Sequence, residues 1–496
     1  MRFLGIATGL ALPLLRLWAC TPLEPGSDVF GAAGSAGDGG GGANPVGSSG
    51  GASGDRAAGS GGGGTLGASD GGGSDSDAAG AGGAAPGNCP APEDRSVEVL
   101  GENGEFTIDA DTAWSCKHDY ELAGNVIVAP GAVLTIGAGT VIRAAPKVML
   151  LVQRGARLEA TGSEQLPITF TSAKAEGQRK PGDYRGVILI GDGPSQTTTT
   201  AVFDSLSDFR AHYGGGQAGD ANGSCGTLRY VRVEFAGGST DDASLPAGAL
   251  TLAACGAGTI VDYVQVHRAK DGVGLLGGTV PLRHVVVSNN QTGEAIEWSR
   301  GYTGTMQFVV AQSLGSSAAM QGSNSAEDPE ASPVSRPVIY NATLVGRALF
   351  AMDLHYGLKL QLGSRVVFKN SVIQGFVDAA FDLALDPDVL QAQVGSGKSI
   401  DISHALMNDN ARPYTERAQV LSAMDSMRMQ DPGLSAALNP TEDMPQAIPI
   451  FAPTDPTVNT QPAAPPAGFD ATAGFRGGVP QDGIDWTLGW TSFPAD

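Results

Sequence analysis

The chain has 496 residues, of which 73 are glycine, whereas aromatic residues make up 6% and charged residues 16%. This composition favours many short strands and turns over packed helices, and a repeat fold could use the whole length as one unit. The formal net charge of -21 argues against non-specific binding to nucleic acid or anionic lipid, because both are negatively charged.

The first residues predict export. An apolar stretch from Phe3 to Leu15 is too short to span a bilayer but has the length of a signal-peptide core. The sequence LWAC that follows, ending at Cys20, resembles a bacterial lipobox, in which the cysteine becomes diacylated after cleavage. We expect a signal peptide at 1–19 and a lipid anchor on Cys20, with ordinary secretion as the alternative.

Residues 20–88 consist almost entirely of Gly, Ser, Ala and Asp, with no aromatic residue after Phe30. Such a segment buries too little apolar surface to offset its loss of conformational entropy, so we expect a disordered tether. A folded domain that is displayed away from the membrane requires a long flexible tether after the lipidated cysteine. We therefore expect an outer-membrane or cell-surface location, with the membrane as a partner through the lipid.

A repeat begins after Cys89. The sequence GAVL at Gly131 aligns with GARL at Gly155, a period of 24 residues. Similar short strands recur further along with spacings of 33, 21, 24, 33 and 29 residues: YVRV at Tyr230, YVQV at Tyr263, HVVV at His284, FVVA at Phe308, NATL at Asn341 and NSVI at Asn370. One coil of a parallel β-helix takes twenty-odd residues, and longer gaps are loops inserted at turns.

Each coil of such a fold must be covered by the coils above and below it. In YVRVEFA we expect Val231, Val233 and Phe235 to point one way, and Arg232 and Glu234 to point the other. For the same reason, covered positions are expected at Val133 and Leu158 in the 24-residue repeat. The alternative of a β-propeller lacks its signature of four antiparallel strands joined by hairpins.

We therefore predict an all-β fold: a right-handed single-stranded parallel β-helix at 89–403, with a mostly irregular segment at 404–496 packed on it. The N-terminal cap is expected at Trp114 to Leu122. A short helix is expected in TERAQVLSAMDSM, with Thr415 as its N-cap. At the end of the chain, Trp486 and Trp490 should press against the β-helix, or alternatively form a sugar platform.

Four of the five cysteines lie in the predicted β-helix. In an oxidising compartment we expect neighbours to pair, Cys89 with Cys116 and Cys225 with Cys255, and buried free thiols are the alternative. Each loop of about 30 residues would contribute roughly 3 kcal/mol.

Several phrases together resemble one family: VIVAPGAVLTIGAGTVI from Val126, PGDYRGVILIGDGP from Pro181, YGGGQAGDANGSCGTLRYVRVEFAGG from Tyr213, GGTVPLRHVVVSNNQTGEAIEWSRGYTGTMQFVVAQ from Gly277 and GIDWTLGWTSF from Gly483. The chain resembles secreted or lipid-anchored β-helix proteins of myxobacteria, Bacteroidetes and relatives over roughly Ser96 to Phe493. The resemblance implies a pectin-lyase-like fold and, for most members, no assigned function.

Members of that family often carry paired acidic residues before strands equivalent to those at Leu275 and Ile296. This sequence has Lys270-Asp271, Gly293-Glu294 and Gly315-Ser316 at the matching positions. The acidic ladder is mostly lost, which argues against a calcium site inferred from the resemblance.

The best candidate for chemistry is a group of charged residues on neighbouring coils, namely Arg268, Lys270, Asp271, Glu294 and Glu297. Carboxylates near basic residues serve polysaccharide lyases and hydrolases, although charged turns are more often simply solvated. The sequence lacks the facing aspartates in the NTD, DD and GHG series of the hydrolases, so we assign no catalytic residue.

Other candidates are weaker. Asp241-Asp242 in a Gly- and Ser-rich loop could bind calcium or be merely exposed. The six histidines show no metal-ligand spacing, but His267 and His284 are expected to stack on successive coils as a polar ladder, with a metal site as the alternative. We therefore predict no cofactor and no metal.

Two functions remain open at this point. The first is a non-enzymatic, tethered surface lipoprotein whose β-helix binds a polysaccharide, matrix or a surface protein. The second is a carbohydrate-active enzyme, either a polysaccharide lyase or a glycoside hydrolase. Release of unsaturated or reducing ends from polysaccharides would distinguish the two.

Overall fold

Alternating aliphatic and polar residues, broken by Gly- and Asn-containing turns, form the many short strands of this protein. The computed structural model describes residues 89–196, 200–201, 212–238, 248–315, 317–346, 355–434 and 451–496. The predicted signal peptide, Cys20, the tether, Asp241-Asp242 and Ser316 lie outside these residues. The described residues belong to one compact unit at Ala79–Asp496.

The strands are numbered in chain order. The first thirteen are β1 Ser96–Leu100, β2 Phe106–Ile108, β3 Thr112–Trp114, β4 His118–Leu122, β5 Val126–Val128, β6 Val133–Gly137, β7 Val141–Ala144, β8 Met149–Val152, β9 Arg157–Thr161, β10 Ile168–Ser172, β11 Gly186–Ile190, β12 Thr200–Ala201 and β13 His212–Tyr213. The others are β14 Gly226–Glu234, β15 Leu250–Ala253, β16 Ile260–His267, β17 Val273–Leu276, β18 Leu282–Asn290, β19 Ile296–Ser299, β20 Thr305–Ser313, β21 Ser317–Gly322, β22 Val338–Val345, β23 His355–Gln361, β24 Val366–Gln374, β25 Ala379–Ala384, β26 Ile400–Asn408 and β27 Arg428–Met429.

Two long parallel sheets make up the fold. Sheet A runs in the order β1-β4-β7-β10-β14-β16-β18-β20-β22-β24-β26-β27, with β3, β6 and β9 beside it, and sheet B runs β2-β5-β8-β11-β15-β17-β19-β21-β23-β25. Successive coils therefore contribute one rung to each sheet, which is the architecture of a parallel β-helix. A separate antiparallel pair joins β12 and β13. Among the described residues, the helices are α1 at Pro387–Gln393 and short 3₁₀ turns at Pro92–Asp94, Gly216–Ala218, Gln419–Ala423 and Pro456–Asn459.

The strand register confirms the 24-residue repeat. Leu134 lies opposite Leu158 on the neighbouring coil, and both are fully buried in the core. Val133, which we expected to be covered, is half-buried and lies opposite Arg157, because alternate residues of a strand face opposite sides. The later repeats are also in register, as in the pairing of Val231 with Val264.

From β14 to β26 each strand of sheet A bends at a residue with a positive φ angle. The bends occupy one position per coil, with φ between 46° and 59°: Tyr230, Tyr263, His284, Phe308, Asn341, Asn370 and His404. This backbone conformation is energetically unfavourable for an L-residue. Because it recurs in each of these coils, we infer that stacking against the neighbouring coils offsets the unfavourable energy. Four of these side chains form a ring stack with centroid separations of 4.6, 4.4 and 4.9 Å: Tyr230, Tyr263, His284 and Phe308.

The predicted N-terminal cap was wrong. His118–Leu122 forms an interior rung, because β4 pairs with β1 on one side and β7 on the other, whereas β3, which ends at Trp114, pairs with β6 alone. Trp114 and Tyr120 stack at 4.7 Å between ring centroids and are almost fully buried. Strand β1 is therefore the first described rung of sheet A, and its Val97 is 58% exposed.

The alternation predicted for YVRVEFA holds up to Glu234 and then fails. Val231 and Val233 lie in the core, whereas Phe235 packs outside it, 6.4 Å from His267 and with the Arg179 guanidinium 4.9 Å from its ring. Phe235 has a φ of 61°, and this turn reverses the direction of its side chain.

The helix predicted from Thr415 was also wrong, apart from the single 3₁₀ turn already given. The Thr415 hydroxyl donates a hydrogen bond of 2.7 Å to the Asp382 carboxylate instead of capping a helix. The Thr415 backbone N–H donates to the Phe381 carbonyl at 3.0 Å. Contact with Asp382 and Phe381 thus fixes Thr415, and the residues after it form turns and the 3₁₀ helix at Gln419–Ala423.

The end of the chain packs on the outer face of sheet A, as predicted. Trp490 is 1% exposed and lies 6.0 Å from the ring centroids of both Tyr230 and Tyr263, while Trp486 lies 5.1 Å from His284. The last long strand, β26, continues past position 403, where we expected the β-helix to end. No helix among the described residues is both long and apolar enough to cross a membrane.

Candidate functional site

Three carboxyl groups meet at the edge of sheet B. Asp271 lies in the turn before β17, Glu294 lies at the equivalent place before β19, and Glu297 lies within β19. The Gly272 N–H donates to the Glu294 carbonyl at 3.0 Å, which fixes the two turns side by side. The structure therefore brings together the three acidic residues that the sequence singled out.

Gly293 makes room for this arrangement. A Cβ atom at that position would lie 1.6 Å from the Asp271 Oδ1 atom. The Asp271 carboxylate thus rests directly over the backbone of the next coil, and a larger residue at position 293 would displace it.

The carboxyl groups shift the pKa values of Asp271 and Glu297 because they lie close together in a half-buried site. Burial, reinforced by the charge of Glu294, raises the pKa of Asp271 to about 6. Burial and the charges of Glu294 and Asp271 raise the pKa of Glu297 to about 8, although a Gln321 hydrogen bond and the charge of Lys359 oppose the rise. At neutral pH the site therefore holds Glu297 largely as the acid and Asp271 largely as the carboxylate.

Glu297 belongs to a row of residues that runs along the outer face of sheet B, one residue per coil. Consecutive members pair across the strands in the order Ile127, Leu151, Ile188, Thr251, Gly274, Glu297, Gln321, Lys359 and Asp382. The first three are buried and aliphatic, whereas the last four are polar or charged. We call Glu297, Gln321, Lys359 and Asp382 the polar row.

Hydrogen bonds hold the polar row in place. The Gln321 Nε2 atom donates to the Glu297 Oε1 atom at 3.5 Å, and the Ser317 hydroxyl donates to Glu294. At the other end, Asp382 is 1% exposed and is paired with Arg417 at 3.3 Å. Lys359 and Glu297 are only half-buried, so solvent reaches these two positions, whereas Gln321 and Asp382 are buried.

The two basic residues of the predicted group have different surroundings. The positive charge of Lys270 lowers the pKa of Asp271 and so belongs to the carboxyl cluster. Arg268 does not: burial lowers its pKa, and the charge that opposes this shift is Asp496. The positive φ of 47° at Arg268 turns this residue out of the sheet, in the same way as at Phe235.

His267 and His284 both make hydrogen bonds on the outer face of sheet A. His267 and His284 do not stack on each other. His267 contacts the Ser288 hydroxyl at 2.8 Å and the Pro494 carbonyl at 3.0 Å, and burial lowers its pKa to about 3. The His284 Nδ1 atom lies 2.8 Å from Asp262. The described residues include no group of three or more His, Cys, Asp or Glu side chains placed to hold a metal ion.

The cysteines form the two expected disulfides, Cys89–Cys116 and Cys225–Cys255. The first bond joins the start of the described chain to the turn between β3 and β4. The second joins the residue before β14 to the turn after β15, next to the coil that precedes Asp271. Both bonds therefore hold turns of the β-helix in place.

Sequence reasoning missed Gln321, Lys359 and Asp382. The step from Glu297 to Gln321 is a regular 24 residues, but 38 residues separate Gln321 from Lys359, so a constant period fails at that insertion and does not lead on to Lys359 or Asp382. The sequence did contain one signal for these residues, the spacing of the NATL and NSVI strands in sheet A. Each coil contributes a strand to both sheets, so locating its strand in sheet A also locates its strand in sheet B.

The arrangement offers hydrogen-bond donors and acceptors to a hydroxyl-rich ligand, together with one carboxylic acid beside one carboxylate. Comparison with known families gives a match to the model of the pectate-lyase like beta helix domain over residues 105–442. No curated protein and no solved structure matches the chain. The matched range includes the carboxyl cluster and the whole polar row.

Proposed function

The chain belongs to the pectate-lyase-like β-helix domain family, and from that premise we propose that it is a non-enzymatic surface protein that binds a polysaccharide along the polar row. The observation that carries the proposal is the register of Glu297, Gln321, Lys359 and Asp382. Glu297 and Lys359 present a carboxyl and an ammonium group to solvent, Gln321 lies between them in register, and the buried Asp382 ends the row against Arg417.

The spacing of the row suits an extended polymer. Neighbouring strands of a sheet lie about 4.8 Å apart, so each coil offers one polar side chain at a step close to the length of a sugar ring. A polysaccharide lying across the strands would meet successive donors and acceptors, and binding would gain from several weak contacts at once.

The charge of the row favours a neutral polysaccharide. Asp271 and Glu294 lie beside Glu297, and Lys359 is the cation of the polar row. A polymer of uronic acids would place its carboxylates against this acidic group, which costs free energy. Hydroxyl groups, in contrast, can donate to the carboxylates and accept from Gln321 and Lys359.

We also propose that the protein is displayed on the outer membrane or cell surface. The support is the apolar stretch before Cys20 and the Gly-rich composition of residues 20–88. Globomycin inhibits the processing of bacterial lipoproteins, so it should shift the mobility of the precursor and remove the protein from the membrane fraction. Unchanged mobility and a soluble product would contradict the anchor.

Affinity electrophoresis in gels that contain neutral or acidic polysaccharides tests the binding proposal. We expect retardation by at least one neutral polysaccharide and about a tenfold loss of affinity in Lys359→Ala, which corresponds to about 1.4 kcal/mol. Arg157→Ala is the matched control, because it also removes one positive charge, from an exposed residue of β9. Equal retardation of both variants, or no retardation of the wild type, would contradict the proposal.

A second candidate is a carbohydrate-active enzyme, and one observation favours it. Two neighbouring carboxyl groups with pKa values of about 6 and about 8 resemble the acid and base of a glycoside hydrolase. Release of reducing or unsaturated ends from the same polysaccharides, abolished in Asp271→Asn or Glu297→Gln, would establish the enzyme instead. Binding without any release would favour the first proposal.

A further inference from the structure

A small cleft lies on the opposite sheet, between the outer face of sheet A and the end of the chain. Its volume is about 210 Å³, and its lining combines aromatic and polar side chains: His284, Phe308, Asp470, Phe475, Ile484 and Trp486. This cleft is separate from the polar row, which lies on sheet B.

The aromatic walls of the cleft are held in place. Phe475 stacks on Phe308 at 6.0 Å with an interplanar angle of 18°, and Trp486 meets His284 edge to face at 5.1 Å and 67°. The Trp486 Nε1–H donates to the Gly478 carbonyl at 2.9 Å. The buried Arg476, next to Phe475, donates to the Val458 carbonyl at 2.9 Å. Ring contacts and hydrogen bonds therefore hold the walls of the cleft together.

The rim of the cleft is polar. The Asp470 backbone N–H donates to Gln307 at 2.8 Å, and Thr472 donates to the Asp470 Oδ1 atom through its N–H at 2.9 Å and its hydroxyl at 2.6 Å. These bonds from Thr472 lower the pKa of Asp470, so this group is a carboxylate at neutral pH. The hydrogen bonds described for Asp470 do not use Oδ2. The Arg283 guanidinium lies 5.9 Å from the Phe308 ring centroid and adds donors nearby.

We propose that this cleft binds a single neutral pyranose ring. A pyranose has an apolar C–H face, which can pack on the aromatic rings, and a hydroxyl edge, which can donate to Asp470 and accept from Arg283. The cleft is smaller than the roughly 300 to 1,000 Å³ of sites for drug-sized ligands, which suits one ring. An entirely apolar occupant would desolvate the Asp470 carboxylate without giving it a partner, which is unfavourable.

This inference goes beyond the polysaccharide site on sheet B and stands without it. Sheet A contributes His284 and Phe308, while the rest of the lining comes from residues 470–486, more than 150 positions further along the chain. A ring bound here would be the end or a branch of a glycan, because the cleft has room for one unit.

Saturation-transfer NMR on the complete protein tests the proposal. The probes are the methyl β-pyranosides of glucose, galactose, mannose and N-acetylglucosamine, with N-acetyl-leucine amide as the apolar probe. We expect millimolar binding of at least one sugar, a loss of at least fivefold in Asp470→Asn, and loss of the signal in Trp486→Ala. Asp470→Asn keeps an oxygen for Thr472 and should fold normally.

Two control variants separate this site from other effects. Leu488→Ala changes a 48% exposed residue of the same segment that does not line the cleft, and it should bind the sugar as the wild type does. Lys359→Ala should also leave this binding unchanged, which distinguishes the cleft from the polar row. The proposal would be overturned if no sugar bound, if Asp470→Asn bound equally well, or if N-acetyl-leucine amide alone bound.

Discussion

The outer faces of the two sheets differ in the order of their side chains. The outer row of sheet A begins with polar residues and becomes mainly aliphatic: Thr169, Arg232, Gln265, Val286, Val310, Thr343, Val372 and Leu406. The outer row of sheet B begins aliphatic and becomes polar at Glu297. The end of the chain therefore covers the outer face of sheet A, whereas the outer face of sheet B is half-buried at Glu297 and Lys359.

Hydrogen bonds, as well as apolar contacts, hold the end of the chain on the outer face of sheet A. The Asn341 side chain donates to the Phe475 carbonyl at 2.6 Å, and Asn370 exchanges two hydrogen bonds with the backbone of Ala463, at 2.8 and 2.7 Å. These asparagines occupy the same bend that carries aromatic rings on earlier coils. The bend thus provides the contacts that bind the end of the chain to sheet A.

The largest effect that we predict on sheet A comes from Trp490→Ala. This side chain is 1% exposed and packs on Tyr230 and Tyr263, so its loss should lower the free energy of unfolding by about 3 to 5 kcal/mol. Urea denaturation measures the change. Leu488→Ala, in the same segment, should change the free energy by less than about 0.5 kcal/mol. Similar values for the two variants would contradict the tight packing of this face.

A smaller loss is predicted for Gln265→Ala. Gln265 is buried and exchanges two hydrogen bonds with the backbone of Ser492, at 2.8 and 2.9 Å. Their removal should cost about 2 kcal/mol and increase proteolysis near residue 490. The exposed Gln178→Ala is the matched control and should behave as the wild type. Unchanged proteolysis in Gln265→Ala would show that aromatic packing alone holds the segment.

On sheet B we predict a smaller change in the free energy of unfolding, and the substitution Glu297→Gln should raise this free energy instead of lowering it. The pKa of Glu297 is raised from 4.5 to about 8, so the folded protein retains a proton that the unfolded chain releases. The free energy of unfolding should therefore fall as the pH rises from about 4.5 to 8. In Glu297→Gln this fall should be reduced, which would make the variant more stable than the wild type by about 1 to 2 kcal/mol at pH 8.5.

Urea denaturation at pH 4, 6 and 8.5 measures this difference. At pH 4 both forms of the protein carry an uncharged group at position 297, so their stabilities should be nearly equal. The exposed Glu98→Gln on β1 is the control and should follow the wild type across the range. A parallel pH dependence in Glu297→Gln would contradict the perturbed carboxyl cluster.

Much of the fold could be predicted from the sequence because the repeat is local. The pairing of Leu134 with Leu158 follows from a constant period, and the two disulfides follow from neighbouring cysteines. The errors occur where a turn interrupts alternation, as at Phe235, or where a contact distant in sequence replaces a local preference, as when Asp382 holds Thr415.

The candidate site was only partly predictable. Asp271, Glu294 and Glu297 lie on coils of regular length, so sequence spacing places them together. Arg268 lies close to them in sequence, but its positive φ turns it towards Asp496. The Lys359 side chain joins the same row only through its pairing with Gln321, which crosses a long insertion of the chain.

The sequence by itself determined the stacked coils, because an aliphatic row that recurs in each coil has to be covered by its neighbours. Only the tertiary structure decided which outer face is covered and which carboxyl groups share a half-buried site. Those outcomes depend on contacts such as that between Gln265 and Ser492, 227 residues apart, which no local pattern encodes. They also depend on desolvation, which is a property of the assembled surface and not of the residue alone.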